Sequence, residues 1–170
     1  MRSYRYQAFH AALGAVALAA SCVLASAEGT GSGQQQGPAL VERYVAAFNA
    51  HDADAFRDVI ADNYVQHNGR AGQGLAGTQA TLRGYFATFP DMHAQVDDLI
   101  IDGDKVVARL TFTATHSHPV QLGPNAPVFP PTGKKLSWGD IEIWRVADGK
   151  FAEHWDQSDL AGLARQMRAE

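Results

Sequence analysis

The sequence is poor in cysteine, in dense basic charge and in long apolar runs. One cysteine, Cys22, stands in 170 residues. No disulfide can form within one chain, so the fold must rest on core burial. Lys and Arg number 14, form no dense run, and leave a formal net charge of −4. That balance speaks against nucleic acid and against an anionic membrane surface as partners. The apolar run Ala11 to Leu24 is too short and too Ala-rich for a membrane span. No internal repeat is visible. His116-x-His118 has no third ligand at a recognised spacing, so no metal site is assigned. What is present is the composition of a globular protein, 46% hydrophobic and 19% charged. The length suffices for one domain with a real core.

Arg2 and Arg5 give a positive start, the apolar run follows, and Ala25-Ser26-Ala27 is a small-x-small cleavage site. This predicts a signal peptide over residues 1–27, cut after Ala27, and a periplasmic or secreted mature protein. The cut removes two of the 14 basic residues and none of the 18 acidic ones, leaving the mature chain near −6. A second reading takes Leu18-Ala19-Ala20-Ser21-Cys22 as a loose lipobox, with Cys22 lipidated. The Ala-Ser-Ala site is the better signal.

Residues 28–37 hold Gly, Ser and Gln without an apolar side chain to bury, which predicts a flexible leader. Residues 38–170 then form the domain. Leu40, Val41, Tyr44, Val45 and Phe48 recur at helical spacing, giving a helix from about Pro38 to Asn49. Asp52 or Asp54 can cap a short second helix. Tyr64 to Asn68 reads as a short extended piece, and Gly69 to Gly77 as a loop. Thr78 can cap a third helix, with Leu82, Tyr85, Phe86 and Phe89 as its apolar side and Pro90 as its end. From Met92 the period changes to that of strands: 92–101, 105–116, 134–146 and 151–156, with Asp148-Gly149 as a hairpin turn. Asp159 caps a closing helix to about Met167. Helices first and a strand meander afterwards predict an α+β domain with a curved antiparallel sheet.

The last strand places His154 and Asp156 on one face and Glu153 and Trp155 on the other. A histidine and an aspartate so placed can serve acid–base work or metal binding, or can end a strand as a satisfied polar pair. On strand 105–116, Val106, Ala108, Leu110, Phe112 and Ala114 share an apolar face that ends in His116. A titratable group at the rim of an apolar face suits a binding site, and equally a strand end reaching solvent. Residues 120–133 hold four prolines and two glycines, which suits a stiff lid or a hairpin connection grown by insertion. On strand 134–146 either parity can face inward. Asp140 and Glu142 are taken as a solvated or interface face, and Trp138, Trp144 and Trp155 as packing residues.

Five groups of residues together resemble the SnoaL-like polyketide cyclases, often labelled ester cyclases, within the NTF2-like superfamily. They are Tyr64 to Asn68, Phe89-Pro90-Asp91, Ala108-Arg109 with Thr115-His116, Pro131 to Lys134, and Asp148-Gly149-Lys150 with Glu153-His154-Trp155-Asp156. The resemblance implies an NTF2-like (cystatin-like) cone, a bent sheet wrapped around helices with a pocket between. It also implies an intramolecular aldol step on a small apolar or carbonyl-containing molecule, without metal or organic cofactor. Limonene epoxide hydrolase, a relative on this fold, has an essential aspartate where Asp156 stands and a second acid roughly where His116 stands. Its arginine falls on Ala114, so the resemblance does not extend to epoxide hydrolysis by that route. The implied catalytic residues are Asp156, then His116, with His154 in support, and a proton shared between Asp156 and a histidine. The implied substrate contacts are His67, Val65, Phe112, Trp138 and Phe86. A homodimer is expected. A binder without chemistry, or an interaction module using the outer sheet face, are the other readings.

Overall fold

A computed structural model describes residues 32–123 and 125–168. The expected signal peptide and its cleavage site lie outside the described residues. Helix α1 spans Ser32–Asn49. A 3-10 turn, Asp54–Asp58, follows. Strand β1 is Ile60–Gln66, helix α2 Gly74–Thr88, strand β2 His93–Asp102 and strand β3 Lys105–Thr115. A two-strand arm, β4 (Val120–Gln121) and β5 (Val128–Phe129), precedes β6 (Lys135–Ala147), β7 (Lys150–Ser158) and helix α3 (Leu160–Met167). No helix among the described residues is long and apolar enough to cross a membrane.

The segment expected as a leader is helical from Ser32, so α1 begins six residues before Pro38. Gly37 supplies a reason. A Cβ there would meet Val106 Cγ2 at 2.8 Å and Ile101 Cδ1 at 3.2 Å. The bare glycine lets the helix backbone lie directly on the sheet, an anchor that hydropathy alone does not reveal.

The main sheet runs β1-β7-β6-β3-β2. All its pairs are antiparallel except β1 with β7, which is parallel. Asp148 and Gly149 both have positive φ, 49° and 75°, as the tight β6–β7 hairpin requires. On β3 every second residue from Val106 to Ala114 is buried, and on β6 every second residue from Leu136 to Val146. These two rows form one side of the core. Leu40, Val41, Tyr44 and Phe48 of α1 form the other. Tyr44 sits edge-on to Phe56 at 4.9 Å and to Trp144 at 5.1 Å, and Trp144 stacks on Phe151 at 4.7 Å.

Open strand edges are closed by side-chain amides. The Asn49 amide donates to Ala94 O at 2.9 Å, and its oxygen accepts from Ala94 N at 2.8 Å, on edge strand β2. Gln73 does the same for Gln66 on edge strand β1, at 2.8 and 3.0 Å. Where β7 has ended, Gln166 of α3 takes its place beside Ser137 of β6, at 2.7 and 3.0 Å. Each carboxamide presents one donor and one acceptor, as a missing strand would. Asn49→Ala removes both bonds and leaves two backbone groups of a part-buried edge without partners. Urea unfolding is expected to show a loss of about 1–3 kcal/mol with an unchanged slope.

Candidate functional site

Three strands bring acids and bases to the inner face of the sheet. The ladder sets Ala108, Glu142 and Asp156 level across β3, β6 and β7. One step along lie Leu110, Asp140 and Ser158, and one step the other way Val106, Trp144 and His154. Asp140 and Glu142 thus face inward, not to solvent, and both are buried. The parity of β6 was ambiguous because each of its faces carries apolar residues; the outward set, Ile141 and Ile143, remains at the surface. Trp144 packs in the core as expected, while Trp155 faces outward under Lys105 Nζ, 4.8 Å from its ring centre.

The environments of the acids differ. The hydroxyl of Ser158 donates to Asp140 Oδ2, while Asp140 Oδ1 is buried without a partner among the described residues. Burial, then the neighbouring charge of Glu142, pushes the Asp140 carboxyl up to about 7. Asp156 lies under the loop between β1 and α2. Its Oδ1 accepts from the Asn68 amide and its Oδ2 from Arg70 Nη2 at 2.5 Å. The Asp156 side chain is 7% exposed and that of Arg70 35%, so the arginine covers it on the solvent side. Asp156 therefore has an arginine and an amide as partners in place of the expected histidine.

Glu142 and His154 form a second buried group. His154 Nδ1 lies 2.7 Å from Gln66 Oε1, and its Nε2 lies 3.4 Å from Glu142 Oε2. Tyr64 stands beside them, its phenol raised well above the usual range by burial and then by the Glu142 carboxylate, with the Trp144 indole opposing. Tyr44 is raised well above by burial and the same carboxylate. Tyr64 Oη, Glu142 Oε2, Trp144 Nε1 and His154 Nε2 are all buried without a hydrogen-bond partner among the described residues. Orphaned polar atoms of this kind call for a functional reason.

His116 is fully buried at the end of the same face, but it is not brought to Asp156. It stands eight residues beyond Ala108, the β3 residue level with Asp156. That is roughly 27 Å along the strand at about 3.4 Å per residue. Its Nδ1 instead meets Thr132 Oγ1 at 3.0 Å, and its carbonyl accepts from Thr132 N and Gly133 N. It ties the root of the β4–β5 arm. Asp91 ties the strand end beside it, accepting from Thr115 N at 2.7 Å and from Lys135 Nζ at 2.8 Å. Those bonds hold the Asp91 carboxyl well below the usual range.

Phe86, Phe112 and Trp138 do come together. Phe48 touches Phe86 at 5.3 Å and Phe112 at 5.2 Å, and Phe112 stacks on Trp138 at 5.7 Å. They form an apolar floor one ladder step from Asp140. Val65 and His67 do not join it. On β1 the buried residues Ile60, Tyr64 and Gln66 are all of one parity, and Val65 and His67 are of the other. Tyr64 and Gln66 then point inward, and Val65 is 41% exposed. His67 stacks on Trp155 at 4.3 Å and meets Glu153 Oε2 at 2.9 Å on the outer surface. Arg145 joins the same Glu153, whose carboxyl is lowered, first by His67. An open groove of about 620 Å³ is lined by residues including Asp97, Arg109, Ile141 and Gln157, and also by Asp140 and Ser158. No group of three or more His, Cys, Asp or Glu side chains among the described residues is arranged to hold a metal.

The family model described as SnoaL-like polyketide cyclase matches residues 39–167. The chain is 28% identical over 135 residues to the aklanonic acid methyl ester cyclase DauD of Streptomyces sp. (strain C5), covering 75% of this chain and 79% of the relative. The aklanonic acid methyl ester cyclase DnrD of Streptomyces peucetius is also 28% identical over 135 residues, covering 75% and 88%. Among solved structures, TsrD of Streptomyces laurentii superposes with a TM-score of 0.71 at 35% identity, covering 81% of this chain and 98% of that one.

The Asp140 environment has a consequence for stability. Its folded pKa of about 7 lies above its ordinary value of 3.8. Between these values the unfolded chain loses the proton and the native chain keeps it. Stability is therefore expected to fall as pH rises from about 4 to about 7, by up to ~4 kcal/mol from this group. Asp140→Asn should remove that slope, read from urea midpoints at pH 5 and pH 8.

Proposed function

The chain belongs to the SnoaL-like polyketide cyclase family, and on that premise we propose that it closes a ring in a carbonyl compound by acid–base chemistry on the inner sheet face. The observation that carries this reading is the contrast between two inward acids on neighbouring ladder steps. Asp156 has Arg70 as its counter-ion, while Asp140 is held up to about 7 by burial. Paired acids in opposed environments divide the roles of base and acid between them.

In this mechanism Asp156 removes a proton from the carbon next to a carbonyl. The guanidinium of Arg70 and the amide of Asn68, already directed at Asp156, stabilise the enolate oxygen that develops beside it. The enolate carbon attacks a second carbonyl of the same molecule, and Asp140 gives its proton to the oxygen that gains charge. One carbon–carbon bond forms, and the proton lost from carbon is matched by one gained on oxygen. Ser158 orients Asp140 throughout. Phe86, Phe112 and Trp138 supply an apolar floor for flat, unsaturated substrate. This chemistry needs no further group than these side chains.

The exposed Ile100, Ile141 and Val65 on the outer face support a homodimer through that face. The basic start, apolar run and Ala25-Ser26-Ala27 support export. N-terminal sequencing of the chain released from cells is expected to begin at Glu28; a chain retained at Cys22 with lipid would favour the lipoprotein route.

Turnover is tested on aromatic polyketide methyl esters bearing an aldehyde or ketone, with product mass unchanged and the ring traced by NMR. Asp156→Asn and Asp140→Asn are each expected to slow turnover by roughly 10²–10⁴-fold with affinity retained. The wild-type rate should fall as pH rises through about 7, where Asp140 loses its proton. Equal binding by wild type and Asp156→Asn, with no product from either, would make the protein a carrier.

A further inference from the structure

We propose that Gln66 is a positioning residue that fixes the tautomer of His154, so that His154 and Glu142 hold one proton between them as a buried store behind the working acids. Its role in turnover rests on the acid–base reading above; its existence does not.

The backbone of Gln66 is fixed on both sides. Toward β7 it is in register with His154, and the next residue, His67, donates its N–H to His154 O at 2.9 Å. Away from β7 the Gln73 amide clamps its N–H and carbonyl. The side chain, on a residue only 8% exposed, therefore has little freedom. Its Oε1 stands 2.7 Å from His154 Nδ1. A carboxamide oxygen only accepts, so Nδ1 must carry a hydrogen.

That assignment decides what Nε2 can do. It faces Glu142 Oε2 at 3.4 Å, and neither atom has another partner among the described residues. With Nδ1 already protonated, a bare Nε2 would turn its lone pair on a carboxylate inside the core. Two acceptors facing each other there are strongly disfavoured. One proton, on Nε2 or on Glu142, converts the repulsion into attraction. The ring cannot turn away easily, because Trp144 and Tyr64 stack against it at 5.6 and 6.1 Å.

The surroundings do not supply that proton's charge from elsewhere. Tyr64 and Tyr44 face the pair with phenols held neutral by burial and by Glu142. Asp140 and Asp156 flank Glu142 along and across the strands. The nearby cation, Arg70, is committed to Asp156. The store is coupled to the working acid: Glu142 raises Asp140 and His154 lowers it. A proton moving within the pair thus changes how readily Asp140 gives up its own.

The test is long-range ¹⁵N–¹H correlation on ¹⁵N-histidine protein, with His154 identified by loss of its signals in His154→Asn. Infrared difference spectra of wild type against Glu142→Gln report whether Glu142 is a carboxylic acid. Wild type is expected to show His154 with hydrogen on Nδ1, together with either hydrogen on Nε2 or a protonated Glu142. Gln66→Met should lose the Nδ1-protonated form, and Gln66→Glu, which keeps an acceptor, should retain it. A neutral ring with hydrogen on Nε2 and none on Nδ1 in wild type overturns the proposal. So does Nδ1–H with an ionised Glu142 and a bare Nε2. These spectra need no folded variant of Gln66 to decide. In kinetics, Gln66→Met should lower kcat about tenfold or more with KM little changed and displace the pH profile, and Gln66→Glu should restore most of the loss. A wild type with the expected spectra but no turnover sinks the cyclase reading and leaves the proton store standing.

Discussion

Two carboxylates, Asp140 and Glu142, are buried two residues apart on the central strand of the sheet. Like charges so close cannot both be carried cheaply in a medium that solvates poorly. The rest of the inner face is arranged around that conflict. Ser158 answers Asp140, His154 answers Glu142, and Arg70 with Asn68 answers the third acid, Asp156, from the loop above. What is not answered is left as orphaned atoms and as a proton that stays on Asp140 near neutrality. A purely structural core would have placed leucines there at lower cost.

A sheet that bears this conflict has to be held firmly, and its ends and edges show how. Carboxamides stand in for absent strands at Ala94, Gln66 and Ser137. Asp91 and Thr132 pin the far end of β3. The Gln73 clamp has a double effect: it closes β1 and also fixes the residue whose side chain orients His154. Stability and chemistry share the same bonds at that point, so an edge residue with no contact to substrate bears on the site.

Much of this was legible residue by residue. The alternation on β3 and β7, the Asp148-Gly149 turn and the Asp159 cap, which accepts from Gly162 N at 2.8 Å, follow from local periodicity and turn chemistry. So does the inward pairing of His154 with Asp156. Val65 and His67 rested on the resemblance and not on the strand pattern, and the buried residues there are Tyr64 and Gln66, of the opposite parity. Asp140 and Glu142 were undecidable because both faces of β6 carry large apolar side chains. The one available signal was that Trp138 and Trp144 share their parity, and large aromatics favour the core.

The sequence by itself determined the α+β order and which side chains of β3 and β7 share a face, because each is written in short-range spacing, and its motifs carried the resemblance to the family. It also contained every residue of the site. Only the tertiary structure decided which of them meet. Arg70 and Asn68 reach Asp156 across 86 and 88 residues of chain, and Gln66 reaches His154 across 88. His116, on the expected face, is separated from Asp156 by the length of a strand. Periodicity fixes a side chain's face, but its partners are set by register between strands far apart in the chain, and that register is a property of the packed sheet.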